Sequence, residues 1–211
     1  MATPAVQPAV ESLPWTGNPE ADRLLVDDPN ALLVGFCLDQ QITVQHAFLG
    51  PLTIGERLGT LDVRKLAKMD TGHIRTAFAT PPAVHRYPRA MAERVQRLCA
   101  VLVSEYGGDA SRVWRDASDA RDLERRLKAL PGIGPQKART IINVLGKLLG
   151  VRPAGWEHYV PEWMTLGDAA TAEQLNEYQT RKRAHKAELR ARGLFQDRPR
   201  RTTKPRSEAS R

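Results

Sequence analysis

An all-α fold is predicted by three features of the chain. Alternating runs rich in Val, Ile and Thr are nearly absent, and no Asn-Gly or Asp-Gly pair marks a strand hairpin. Aliphatic side chains recur instead at intervals of three and four, the period of a helix with one buried face. Pro and Gly fall at the edges of these periodic stretches, where helices start and stop.

The elements follow in order. Residues 1–17 hold Pro4, Pro8 and Pro14 with few large apolar groups, and read as a flexible leader, with order beginning near Asn18. Residues 21–25 make a short helix, and Pro29 opens another whose apolar face is Leu32, Leu33, Phe36 and Cys37. The helical pattern continues over 43–58. Two short helices are expected over 61–69 and 74–78, separated by residues 70–72 and followed by a break at Pro81-Pro82. Over 88–106, Met91, Val95, Leu98, Leu102 and Tyr106 share one face, and Gly107-Gly108 closes the helix.

Residues 119–129 form a short amphipathic helix through Leu123, Leu127 and Leu130. Asp119 and Asp122 occupy its first turn, where the helix end favours negative charge. Pro135 begins a helix carrying Ala138, Ile141, Ile142, Leu145, Leu148 and Leu149 as one stripe, ended by Gly150. Residues 151–167 are a long irregular segment whose Trp156, Tyr159 and Trp163 need burial. Thr171 and Gln174 have the spacing of a capping box opening a last helix, anchored by Leu175 and Tyr178.

With 211 residues, 41% of them hydrophobic and 27% charged, the chain can bury one good core or two small subdomains. No apolar run approaches the roughly 18 residues needed to cross a bilayer, and no basic segment precedes an apolar one at the N-terminus, so a cytoplasmic location is expected. Cys37 and Cys99 are the only cysteines. Each lies in an apolar helical stretch and is expected to be a buried thiol, with too few thiolates for zinc or an iron–sulfur cluster. The net charge of +8 is concentrated at one end. Residues 181–211 carry 12 basic and 3 acidic side chains, whereas residues 1–180 carry 20 and 21. Any binding of a polyanion by the body therefore depends on a local patch and backbone amides, with the tail adding a sequence-independent attraction.

The stretch that suggests chemistry is Leu130-Pro131-Gly132-Ile133-Gly134, followed by Pro135-Gln136-Lys137-Ala138. Two glycines beside a helix N-terminus let backbone N–H groups approach an anion closely, and a nucleic-acid phosphate fits such a site. Upstream, Leu38-Asp39-Gln40-Gln41-Ile42-Thr43-Val44 lies at a helix-to-helix junction. Together the two stretches resemble the helix-hairpin-helix base-excision DNA glycosylase superfamily, which includes endonuclease III and the alkyladenine and adenine glycosylases. The stretches Val84-His85-Arg86-Tyr87-Pro88 and Val151-Arg152-Pro153-Ala154-Gly155-Trp156 resemble a bacterial branch that lacks the iron–sulfur cluster.

The resemblance covers about residues 18–177 and implies an all-α protein of two helical subdomains flanking a DNA-binding cleft. A central bundle would span about 43–150, a second subdomain would combine 18–42 with 151–180, and residues 181–211 would be a basic helix end and tail. It implies extrusion of one damaged or mispaired nucleotide from double-stranded DNA and cleavage of its N-glycosidic bond. A monomer suffices for this chemistry. Gln41 matches the position that enters the base stack, with Gln40 beside it facing DNA. Gly132, Ile133 and Gly134 would hold a phosphate, and family hairpins commonly recruit a monovalent cation through carbonyls there.

The chain departs from that pattern twice. The position of the lysine that attacks the sugar in strand-cleaving relatives is Gln136, and Lys137 is turned from it by about 100° along a helix, which implies a monofunctional enzyme without lyase activity. Lys137 is then expected on the polar face, contacting phosphate or solvent. The family aspartate downstream falls here on residues 154–156, none acidic. Glu157, Asp39 and Asp168 remain as alternative catalytic carboxylates, each able to serve as base or electrostatic stabiliser. A scaffold that binds lesions without excising them is the alternative reading. Phe36, His46, Trp156 and Tyr159 are candidate pocket residues, since aromatic rings suit stacking on an extruded base. His85 is expected to cap the following helix or to contact DNA.

Overall fold

The computed structural model of the chain describes residues 10–194, and every regular element among them is helical. Residues up to Tyr178 form one compact unit and residues from Gln179 a second. No described helix is long and apolar enough to cross a membrane.

In the first unit, α1 (Pro19–Asp27) is capped by the Asn18 carboxamide, which accepts from the Glu20 and Ala21 amides. Asp28 caps α2 (Pro29–Leu38) through the Asn30 amide. Residues 31–38 of α2 are buried all round, so it is the central helix of the core rather than an amphipathic one. It packs chiefly on α3 (Val44–Leu58). Gly35 allows that closeness, since a Cβ there would lie 2.6 Å from the Phe48 ring.

The short helices α4 (Val63–Lys68) and α5 (Thr71–Ala79) are capped by Asp62 and Asp70, and both pack on the long α6 (Pro88–Tyr106). Gly107 ends α6 in the left-handed conformation, with φ +62. The four-residue α7 (Arg112–Arg115) is an added turn that apolar periodicity is too short to reveal. Next come α8 (Ala120–Ala129), capped by Asp119 through the Asp122 amide, and α9 (Pro135–Leu148). The irregular segment contains two 3-10 turns, Trp156–Tyr159 and Leu166–Asp168, and the latter packs on α9. The capping box of α10 (Ala172–Ala191) is formed: Gln174 accepts from the Thr171 amide while the Thr171 hydroxyl accepts from the Gln174 amide.

The leader needs correction from residue 10 onward. Leu13 and Trp15 are fully buried. Trp15 meets Phe48 edge-on at 4.8 Å and donates its indole N–H to the Ala169 carbonyl at 2.8 Å. The Asp22 carboxylate collects the Trp15 amide, the Thr16 amide and the Thr16 hydroxyl. Proline content disfavours regular structure here, but one large indole and one buried acceptor are enough to bind an irregular strand to the core. Residues 1–9 lie outside the described residues. So does most of the basic tail. In the second unit the helical residues are largely exposed, with an Arg192–Glu188 ion pair at 2.7 Å near the helix end.

Candidate nucleic-acid interface

Two chain reversals build the site. At the first, α2 ends with the Asp39 amide donating to the Gly35 carbonyl at 3.0 Å, and the Gln40 amide reaches back to the Leu38 carbonyl at 2.6 Å. Gln41 then takes φ +57, the only left-handed residue among the described ones that is not glycine. A side chain there costs strain that surrounding contacts must offset, and such residues concentrate at working sites. Thr43 starts α3 by accepting from the His46 amide at 3.2 Å. Gln41 is exposed.

The second reversal joins α8 to α9. Leu130 and Ile133 anchor it in the core, and the Ile133 amide donates to the Leu130 carbonyl at 3.1 Å. The two glycines do different work. Gly132 has φ +86, and a Cβ on it would lie 3.0 Å from both Arg94 Cδ and Cys37 Sγ, so conformation and packing both require glycine. Gly134 is extended, at φ −93 and ψ 178, and its Cβ position faces open space. It caps α9 without a side-chain hydrogen bond, and Pro135 has no N–H to offer. The first amides of a 14-residue helix therefore point at a clear, exposed approach, the geometry in which a helix end attracts an anion.

The fold brings these reversals together. The Gln40 side-chain amide donates to the Gly132 carbonyl at 3.4 Å, and the Lys137 ammonium donates to the same oxygen at 3.0 Å. Arg94, on α6, donates to Gln40 Oε1 at 2.7 Å. From the loop before α6, the buried His85 donates through Nε2 to the Gln40 carbonyl at 2.9 Å and accepts the Tyr87 amide at Nδ1, 3.0 Å away. That pattern fixes the neutral Nε2–H tautomer. Burial lowers the pKa of His85 and opposes its protonation. The Tyr87 hydroxyl ends the network on Gln41 Oε1 at 3.4 Å, and the ring is 47% exposed.

Lys137 is half-buried rather than spread on the polar face. Burial lowers its pKa, and the charge of Asp39 pulls it back up. Asp39 is thus the candidate carboxylate that shares an electrostatic environment with the hairpin lysine. Gln136, by contrast, is exposed, and its carbonyl accepts from the Thr140 hydroxyl. Cys37 and Cys99 are buried free thiols, pushed up by burial to about 11 and about 12.

The other candidates are placed elsewhere. Asp168 lies against the far end of α9, where it pairs with Lys147 at 2.6 Å and accepts from the Thr165 amide and hydroxyl. Burial would raise its pKa, but Lys147 and Thr165 hold the carboxyl below the ordinary value. Glu157 is exposed in the first 3-10 turn. Trp156 packs on Gly146 with the Arg152 guanidinium 5.2 Å from its ring, and Tyr159 donates to Glu124 at 3.3 Å. Phe36 is fully buried, edge-on to Phe48 at 5.0 Å, so it is a core residue and not a pocket wall. His46 lines a depression of about 350 Å³ with Ile42, Thr43, Ala83, His85 and Arg86.

Arg94 and the bridging role of His85 are not legible in the sequence. Arg94 looks like any polar position on an amphipathic helix, and only the approach of the hairpin gives it a task. The hairpin carbonyls bear on the expected cation. Gly132 O receives an ammonium and an amide, while Leu130 O accepts the Ile133 amide and keeps a second lone pair. Among the described residues no group of three or more His, Cys, Asp or Glu side chains is placed to hold a metal ion. Comparisons with protein-family profiles and with curated proteins find no match to the chain.

Proposed function

We propose that the protein binds duplex DNA at the junction of residues 39–43 with the 130–134 hairpin and acts there as a monofunctional glycosylase, excising a damaged or mispaired base. The single observation that carries this reading is the contact of Gln40 with the Gly132 carbonyl, which unites the two stretches on which the family resemblance rests. The α9 amides and Lys137 supply the positive end of the site for a backbone phosphate. Gln41, exposed and left-handed, is the residue offered to the base stack, where its carboxamide can replace the hydrogen bonds of an extruded base.

For the chemistry, departure of the base leaves positive charge on the sugar, and a nearby carboxylate stabilises it or takes a proton from the attacking water. Asp39 is assigned this role because its charge acts on Lys137 beside the hairpin, whereas Asp168 lies at the far end of α9 against Lys147 and Glu157 sits on a separate turn. Gln136 has no amine to form a Schiff base, so strand cleavage is not part of the activity. The test is release of base from duplexes bearing uracil, alkylpurine, hypoxanthine, oxidised-base or mismatch lesions, followed by alkaline cleavage of abasic sites. Alkali-dependent cleavage of at least one duplex is expected. Tight abasic-DNA binding with no release from any duplex would favour the lesion-binding alternative, to which the structural employment of Asp168 lends weight.

A further inference from the structure

We propose that the second half of α10, from Gln179 onward, is a docking surface for the phosphodiester backbone of duplex DNA, engaging damaged and undamaged DNA alike without reading bases. The choice of DNA as the polyanion rests on the base-excision reading above, whereas the charge argument does not. Residues 179–194, the described part of the second unit, carry six basic side chains and a single carboxylate, Glu188, which pairs with Arg192 at 2.7 Å. Arg181, Lys182, Arg183, Arg190 and Arg192 are exposed and Lys186 is half-buried. Nine of the twelve cations between residues 181 and 211 are arginine, whose planar fork can bond two phosphate oxygens at once.

The apolar content of the segment decides the class of partner. After Tyr178 the large apolar side chains among the described residues are Leu189 and Leu194. The segment therefore has neither the apolar face with which a helix lies in a lipid surface nor the aromatic and aliphatic centre of a protein interface. One carboxylate cannot neutralise six cations, so the balancing charge comes from outside the segment, and a polyanion supplies it with release of small counterions. Lys182, Lys186 and Arg190 recur at intervals of four, on one ridge with about 6 Å between successive levels. A duplex carries one charge per about 1.7 Å of its axis, so such a row meets phosphates in any register and needs no base contact. Arg190 and Arg192 also complement the negative end of the helix, but Arg181, Lys182, Arg183 and Lys186 lie too early in it for that role.

The salt dependence of binding tests this. Fluorescence anisotropy of the full chain with undamaged duplexes of two unrelated sequences, between about 50 and 200 mM NaCl, gives the slope of log Kd against log salt, to which each phosphate contact adds about 0.9. Combining Arg181→Gln, Lys182→Gln, Arg183→Gln, Lys186→Gln and Arg190→Gln should lower that slope by about two to four on both sequences. Glu188→Gln removes the one opposing charge and should tighten binding several-fold at the lowest salt, a gain that unfolding cannot produce. Circular dichroism establishes that each variant is folded. A folded five-site variant with the wild-type slope would overturn the proposal, as would an unchanged affinity in Glu188→Gln. So would vesicles of phosphatidylserine and phosphatidylcholine that bind the wild type as tightly as DNA does at equal anionic charge. The base-excision reading fails on a separate readout: a wild type with no preference for a duplex carrying a tetrahydrofuran abasic analogue over an undamaged one contradicts that reading whatever the slope.

Discussion

The side-chain amide of Gln40 lies 3.4 Å from the carbonyl oxygen of Gly132, a contact between residues 92 positions apart in the chain. It fastens the turn that presents Gln41 to the turn that precedes α9. Arg94 and His85 hold Gln40 from its other atoms, so the positions of the Gln41 turn and of the turn before α9 are set by one network.

The two hairpin glycines should respond oppositely to alanine. Gly132→Ala forces a Cβ onto left-handed backbone and against Arg94 and Cys37, and is expected to cost about 1–3 kcal/mol in denaturant unfolding. Gly134→Ala meets no atom and should stay within about 0.5 kcal/mol of wild type, yet lose duplex affinity several-fold by obstructing the approach to the α9 amides. Equal effects of both on stability would contradict the assignment.

The carboxylates can be separated in the same way. Asp168→Asn removes an ion pair with Lys147 and half of a capping box, and should lower stability by roughly 1–2 kcal/mol with base release retained. Asp39→Asn should abolish most release while the protein still binds abasic DNA. The reverse pattern in the lesion assay would transfer the chemistry to Asp168.

A pH dependence of stability follows from His85. Its pKa is lower in the folded protein than the roughly 6.5 of an unfolded chain, so below that value the unfolded state takes up the proton first. Stability should therefore be full above pH about 6.5 and fall as pH drops from there toward the folded value. Urea unfolding between pH 7 and pH 5 should show a steeper loss for wild type than for His85→Gln. Parallel curves would mean that the burial of His85 does not discriminate against its charged form.

Trp15 should matter more than its place in a proline-rich leader suggests. Its indole is fully buried and bonded to Ala169 O, so Trp15→Ala is expected to cost roughly 3–5 kcal/mol in unfolding free energy. A loss below 1 kcal/mol, measured against the usual size of core truncations, would mean that the strand is not part of the core in solution.

Most helices were legible because each announces itself twice, by an apolar stripe and by a cap. The bounds of α6 coincide with the expected 88–106, and Thr171 with Gln174 forms the capping box their spacing suggests. The misreadings come from residues whose role depends on partners distant in sequence. Phe36 has the composition of a pocket aromatic but is enclosed by α3, and Trp15 is ordered by Phe48 and by Ala169, 154 residues away. In the site, the residue types at both turns were readable, whereas the inward bend of Lys137 was not. Helical phase separates it from Gln136, but its half-burial follows from the Gly132 carbonyl lying beneath it.

In the proposed function the Gln40–Gln41 turn and the hairpin form one site for DNA that has lost a base. The most direct test is the ratio of dissociation constants for undamaged and tetrahydrofuran-containing duplexes, measured for wild type and for Gln41→Ala. A wild-type preference for the abasic analogue of about tenfold or more is expected, reduced to near unity in Gln41→Ala. Equal affinity of the wild type for both duplexes, or an undiminished preference in Gln41→Ala, would contradict it.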